Sequence, residues 1–156
     1  MPFELLHTRL PELAEAETRV ITVLGKSAAT CFPPPAEYAF LEMYCNEPGC
    51  DCRRVFFSVV SSRTQAPEAV IAYGWESAKF YRKWFRQGTD EDIAMLQGPE
   101  LNVGSPQGRH ADAIFQLFID SLLPQAAYIE RVKRHYRAFR ATVDRPRNPL
   151  LRHRGT

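Results

Sequence analysis

The sequence predicts an α+β fold, and three observations carry it. Residues 18–76 hold four short runs rich in β-branched and aromatic residues, separated by turn signals. Residues 77–143 instead repeat apolar residues at steps of three and four, the helical period. The strands all precede the helices, which excludes alternating βαβ units and favours an antiparallel sheet covered by helices. The expectation is a small antiparallel sheet of about four strands against about four helices, with a cysteine-rich hairpin tip. Residues 1–144 are read as one domain and residues 145–156 as a basic, flexible tail.

The strands come first in the chain. "TRVITVL" (18–24) is short and β-branched. "EYAFLEMYC" (37–45) alternates, with Tyr38, Phe40, Glu42 and Tyr44 on one face and Ala39, Leu41, Met43 and Cys45 on the other. "CRRVFFSVVSS" (52–62) places Val55, Phe57 and Val59 together, and "EAVIAYGWE" (68–76) has the same character. "CFPPPAE" and "RTQAPE" supply the breaks between runs.

The helices follow. "SAKFYRKWFRQ" (77–87) is amphipathic. Thr89, with Asp92 three residues on, caps the next helix, which ends at Gly98-Pro99. Ser105-Pro106 opens a third helix running to about residue 123, with His110 on its apolar face. After Pro124 a last helix carries Ile129, Val132, Tyr136, Phe139 and Val143 along one stripe.

At 156 residues the chain is long enough for one self-sufficient core, and 45% apolar with 24% charged residues is ordinary for a globular protein. No apolar run has the roughly 18–20 residues that span a bilayer, and the first residues lack the pattern of a secretory leader. The expectation is a cytoplasmic protein without a membrane partner. Charge is uneven: residues 1–120 hold 11 basic and 16 acidic side chains, residues 121–156 hold 9 and 2. Such a basic end suits nucleic acid, an acidic protein partner, or the acidic body of its own domain.

Three of the four cysteines fall in "YCNEPGCDCRR" (44–54) with the spacing C-x4-C-x-C. Pro48-Gly49 reverses the chain, so one hairpin tip presents Cys45, Cys50 and Cys52 toward one point. In a reducing compartment clustered thiols bind metal or react more often than they pair. Zinc takes about four soft ligands, so the three cysteines form most of a site. A disulfide between Cys45 and Cys50, or a free thiol cluster beside Arg53 and Arg54, are the alternatives. The fourth-ligand candidates are His135, on the flank of the last helix's stripe, then His110, Cys31 or water. Cys31 lies about 25–30 Å away at the far end of a nine-residue strand.

The motif Tyr44-Cys45, four residues, then Cys50-Asp51-Cys52-Arg53-Arg54-Val55, followed by His135-Tyr136 on a late helix, is similar to a family of uncharacterised bacterial proteins sharing that pattern. The resemblance covers about residues 37–140. It implies that Cys45, Cys50, Cys52 and His135 form one constellation, and it implies no activity.

No catalytic signature stands out: G-x-S-x-G, H-E-x-x-H, the phosphate-binding P-loop and G-x-G-x-x-G are all missing. The sequence therefore reads as a metal-binding, structural-zinc protein, a non-enzymatic interaction module. Two alternatives stand beside it. One is a nucleic-acid-associated protein using Arg131, Lys133, Arg134, Arg137 and Arg140. The other is a zinc-dependent hydrolase drawing on Glu42, Glu47 or Asp51 as base.

Overall fold

The computed structural model describes residues 2–25 and 32–145. Along the chain run β1 (Phe3–Leu5), α1 (Leu6–Arg9), α2 (Pro11–Glu17), β2 (Arg19–Val23), β3 (Ala36–Cys45), β4 (Arg54–Ser61) and β5 (Pro67–Gly74). Then come α3 (Ala78–Trp84), α4 (Asp90–Gln97), β6 (Glu100–Leu101), α5 (Ala111–Ser121) and α6 (Ala126–Val143). The sheet is antiparallel throughout, in the order β1-β3-β4-β5-β6. β2 also pairs with β3. β1 takes the stretch Met43–Cys45 of β3 and β2 takes Ala36–Phe40, so the two share one edge end to end, with α1 and α2 between them.

The α+β class holds, but the described residues contain six strands and six helices rather than about four of each. β1, β6, α1 and α2 are the additions. All are eight residues or fewer, too short for a period to declare itself, and the two strands exist through pairing with distant residues.

The alternation in β3 decides which face becomes core. Tyr38, Phe40, Glu42 and Tyr44 are buried with Val55, Phe57 and Val59 of β4 and Ala69 and Ile71 of β5. α5 and α6 cover this face with Ile114, Phe118, Val132 and Phe139, and Leu6 and Ala14 of α1 and α2 close its edge. Phe57 is the hub: its ring lies 5.1 Å from Phe118, 6.2 Å from Tyr128 and 6.5 Å from Phe40. Burying such a ring contributes about 1.5–3 kcal/mol.

α4 carries the expected Thr89–Asp92 capping box. It seats against the end of β5 at Gly74, where a Cβ would come within 2.4 Å of the Leu96 carbonyl and the Tyr81 hydroxyl. α5 begins at Ala111, six residues later than expected, and His110 is its N-cap rather than a member of its apolar face. The reason is Gln107, whose side chain receives the Val70 N–H at 2.9 Å and donates to the Val70 carbonyl at 3.0 Å. Gly108 N–H also reaches the Glu68 carbonyl. These bonds hold residues 105–110 along the edge of β5 in place of a helical turn.

Candidate metal centre

The hairpin between β3 and β4 places its three cysteines together. β3 ends at Cys45, residues 46–49 turn, and Cys50–Arg53 lead irregularly into β4, which starts two residues later than expected. Gly49 takes φ +75°, where an L side chain is strained, and the Cys50 N–H closes the turn onto the Glu47 carbonyl at 3.2 Å. The three Sγ atoms lie within 4.8 Å of one another, and none is in a disulfide. A tetrahedral ion with Zn–S bonds near 2.3 Å sets its sulfurs about 3.8 Å apart, so this set needs only a small contraction to grip one.

Backbone donors face the sulfurs. The Cys52 N–H points at the Cys50 thiol, and the Arg54 N–H at the Cys52 thiol. Both lower the thiols' pKa, yet burial and the neighbouring sulfurs outweigh them. Burial first, then Cys50 and Cys45, push the Cys52 thiol up to about 12. Cys50 is raised too, by burial and then by Cys45. Cys50 and Cys52, crowded together with Cys45, gain from a cation that joins them.

The two arginines after Cys52 have different tasks. Arg53 adopts φ +49°, uncommon outside glycine. Many contacts hold it there. Its side chain bonds Asp51 at 2.9 Å and Glu76 at 3.2 Å and stacks on Phe80 at 4.4 Å. Its N–H donates to the Tyr136 hydroxyl, and its carbonyl accepts from the Tyr81 hydroxyl. Arg54 is only 7% exposed and forms no ion pair among the described residues. Its guanidinium donates to the Leu96 carbonyl at 2.9 Å and the Met95 carbonyl at 3.4 Å. Of the two, Arg54 is the buried one that carries no ion pair among the described residues.

The tip is fastened to the last turns of α6. Arg140, itself buried, donates to the Cys45 carbonyl at 2.7 Å and the Glu47 carbonyl at 2.9 Å. Asp144 pairs with Arg140 and accepts the Gly49 N–H at 2.9 Å. A contact between hairpin tip and C-terminal helix was expected, but through His135. The residues that make it are Tyr136, Arg140 and Asp144.

His135 is not brought to the cysteines; the converging set among the described residues is Cys45, Cys50 and Cys52 alone. The reason is strand parity. Glu42 and Cys45 are three residues apart in β3, so their side chains leave opposite faces, and α6 covers the Glu42 face. His135 therefore meets Glu42, with Nδ1 at 2.7 Å from Oε2, while its Nε2 donates to Glu17 at the end of α2. Arg134 clamps both oxygens of Glu17 at 3.0 Å. The Tyr44 hydroxyl donates to Glu42 Oε2 at 2.6 Å and lies 3.0 Å from the Val132 carbonyl.

With a carboxylate at each ring nitrogen, both nitrogens must donate, which makes the ring an imidazolium. Burial pulls its pKa down, but Glu42 and Glu17 together more than reverse this, and the net direction is up. Glu17 drops to about 2, through the Arg134 bond first and the His135 bond second. Burial and Glu42 hold Tyr44 well above the ordinary range, so it stays a donor.

Of the other candidates, His110 caps α5, and Cys31 lies outside the described residues, as do residues 146–156 of the basic tail. Much of the basic stripe on α6 is engaged within the domain: Arg134 by Glu17, Lys133 by Glu130, and Arg140 by Asp144 and the tip. No helix among the described residues is long and apolar enough to cross a membrane. No family model matches the chain, and no curated protein or solved structure matches it.

Proposed function

We propose that the protein is a metal-binding module in which Cys45, Cys50 and Cys52 hold one zinc ion that locks the β3–β4 tip. The observation that carries this reading is the convergence of three Sγ atoms within 4.8 Å in a corner where backbone N–H groups face the sulfurs. Thiolates select soft ions, and zinc among them requires no redox partner. The ion's role in this reading is structural and non-enzymatic. It cancels thiolate charge between the buried Cys45 and Cys52 and fixes the exposed turn that Arg140 and Asp144 grip from α6. His135 is left out of the ligand set, because both its nitrogens already donate to carboxylates.

The hydrolase alternative has less to support it. Asp51 is paired with Arg53, and Glu42 lies on the other face of β3 and is bound to His135. The nucleic-acid alternative keeps Arg131 and Arg137 but loses Arg140, which is buried against the tip.

Metal analysis of purified protein tests the proposal. About one zinc per chain is expected, falling to background in Cys52→Ser. Protein that carries no metal after purification without chelators, and takes up none when zinc is added, contradicts it.

A further inference from the structure

Beside the hairpin tip, a cleft of about 340 Å³ opens between the turn and α6. That is at the small end of the roughly 300–1,000 Å³ typical of ligand pockets. Its aromatic side is Trp75 and Tyr136, set edge to face with centroids 5.1 Å apart. One rim is Arg53 with Asp51 and Glu76; the other is Lys133 and Arg137, one turn apart on α6.

The charges on these rims are not equivalent. Asp51 and Glu76 are both bonded to Arg53. Arg137 is exposed and forms no ion pair among the described residues, and the one carboxylate on Lys133 is the two-thirds-exposed Glu130. Like charges four residues apart weaken a helix, so Lys133 and Arg137 form a pair that an anion between them would relieve. The facing wall is built on Arg53, whose left-handed backbone is held by contacts to five residues. Strain over-determined in this way concentrates at binding and catalytic clefts.

We infer that this cleft binds a small planar molecule bearing an anionic group. The anion sits between Lys133 and Arg137, and the ring lies against Trp75 and Tyr136. Aromatic carboxylates and mononucleotides share that chemistry. The inference goes beyond the metal site: Lys133, Arg137, Trp75 and Tyr136, which it assigns to the ligand, all lie outside the cysteine turn.

The test is a fluorescence titration of the full chain carrying Trp84→Phe, which leaves Trp75 as the sole indole. Benzoate and AMP are the probes, with adenosine and inorganic phosphate as controls. The expected result is saturable quenching by at least one probe with Kd of about 1 mM or tighter. It should weaken about tenfold or more in Lys133→Ala/Arg137→Ala and stay unchanged in Lys79→Ala/Arg86→Ala, which removes two exposed charges on or just after α3. Response to benzoate alone assigns a carboxylate ligand, to AMP alone a phosphate, and to both a shared site. No saturation by either probe up to about 10 mM, equal binding of phosphate and AMP, or affinity unmoved by the double α6 variant overturns it.

Discussion

Two polar clusters join β3 to α6, and they differ in whether their charges are complete. In one, Glu42, His135, Glu17 and Arg134 alternate negative, positive, negative and positive from the core to the surface. Every charge there has an opposite neighbour. In the other, three thiols converge, and Arg54, two residues past Cys52, is a buried cation with no ion pair among the described residues. A histidine and three cysteines on adjoining elements suggest a four-ligand zinc site when read from sequence. The structure separates them into a closed ion-pair chain and an open sulfur cluster. A histidine flanked by two carboxylates has no lone pair to give a metal, whereas a cluster of like acids gains from one.

The sharpest way to break this comparison is to open the closed cluster. His135→Ala leaves Glu42, 2% exposed, without its countercharge. Removing one partner of a buried pair costs about 3–5 kcal/mol. Denaturant unfolding should show that loss, and a change below about 1 kcal/mol would mean the chain of charges does not stabilise the fold. Emptying the other cluster comes next. At free zinc about a thousandfold above Kd, chelation should remove about 4 kcal/mol of apparent stability. The loss should vanish in Cys52→Ser, which has no zinc left to lose.

Arg140→Ala probes the fastening between tip and α6. It strips donors from the Cys45 and Glu47 carbonyls, and a lost bond to a charged group is worth about 1.5–3 kcal/mol. If the thermal transition does not fall, the tip is held by the cysteines alone.

The smallest effect is in the pH profile. His135 titrates above its ordinary 6.5 when folded, so its contribution is complete below about 6.5 and fades as pH rises through the raised value. Glu17 works in the other direction: depressed from 4.5 to about 2, its contribution is present above 4.5 and fades as pH falls toward 2. Melting temperature should therefore pass through a plateau between those limits. In His135→Gln, which carries no imidazolium, the alkaline decline assigned to His135 should disappear; if it persists unchanged, another group causes it.

How much of this was legible varies with the range of the interaction. The period-two pattern of β3 and β4 foretold which residues share a face, and Gly49 stood where a positive φ was needed. The convergence of Cys45, Cys50 and Cys52 was readable because one hairpin carries all three. What failed was local reasoning about distant pairings. β1 is three residues long and forms by pairing with β3 about 40 residues later. The late start of α5 depends on Gln107 bonding to β5, a contact across 37 residues.

The position of His135 was the instructive error. A signal was present: Glu42 stands in the middle of a face otherwise made of Tyr38, Phe40 and Tyr44, and a buried carboxylate there demands a partner. That partner had to come from the covering helices. Strand parity already placed Cys45 on the other face. Glu17, the second partner, ends a seven-residue helix with no period of its own, and nothing local marked it.

The central claim is that the three cysteines hold the metal without His135. Zinc content measured side by side on the wild-type chain, Cys50→Ser and His135→Gln tests it most directly. The account predicts about one zinc per chain in the wild type and in His135→Gln, and background in Cys50→Ser. Metal lost from a folded His135→Gln protein, or retained in full by Cys50→Ser, would contradict it.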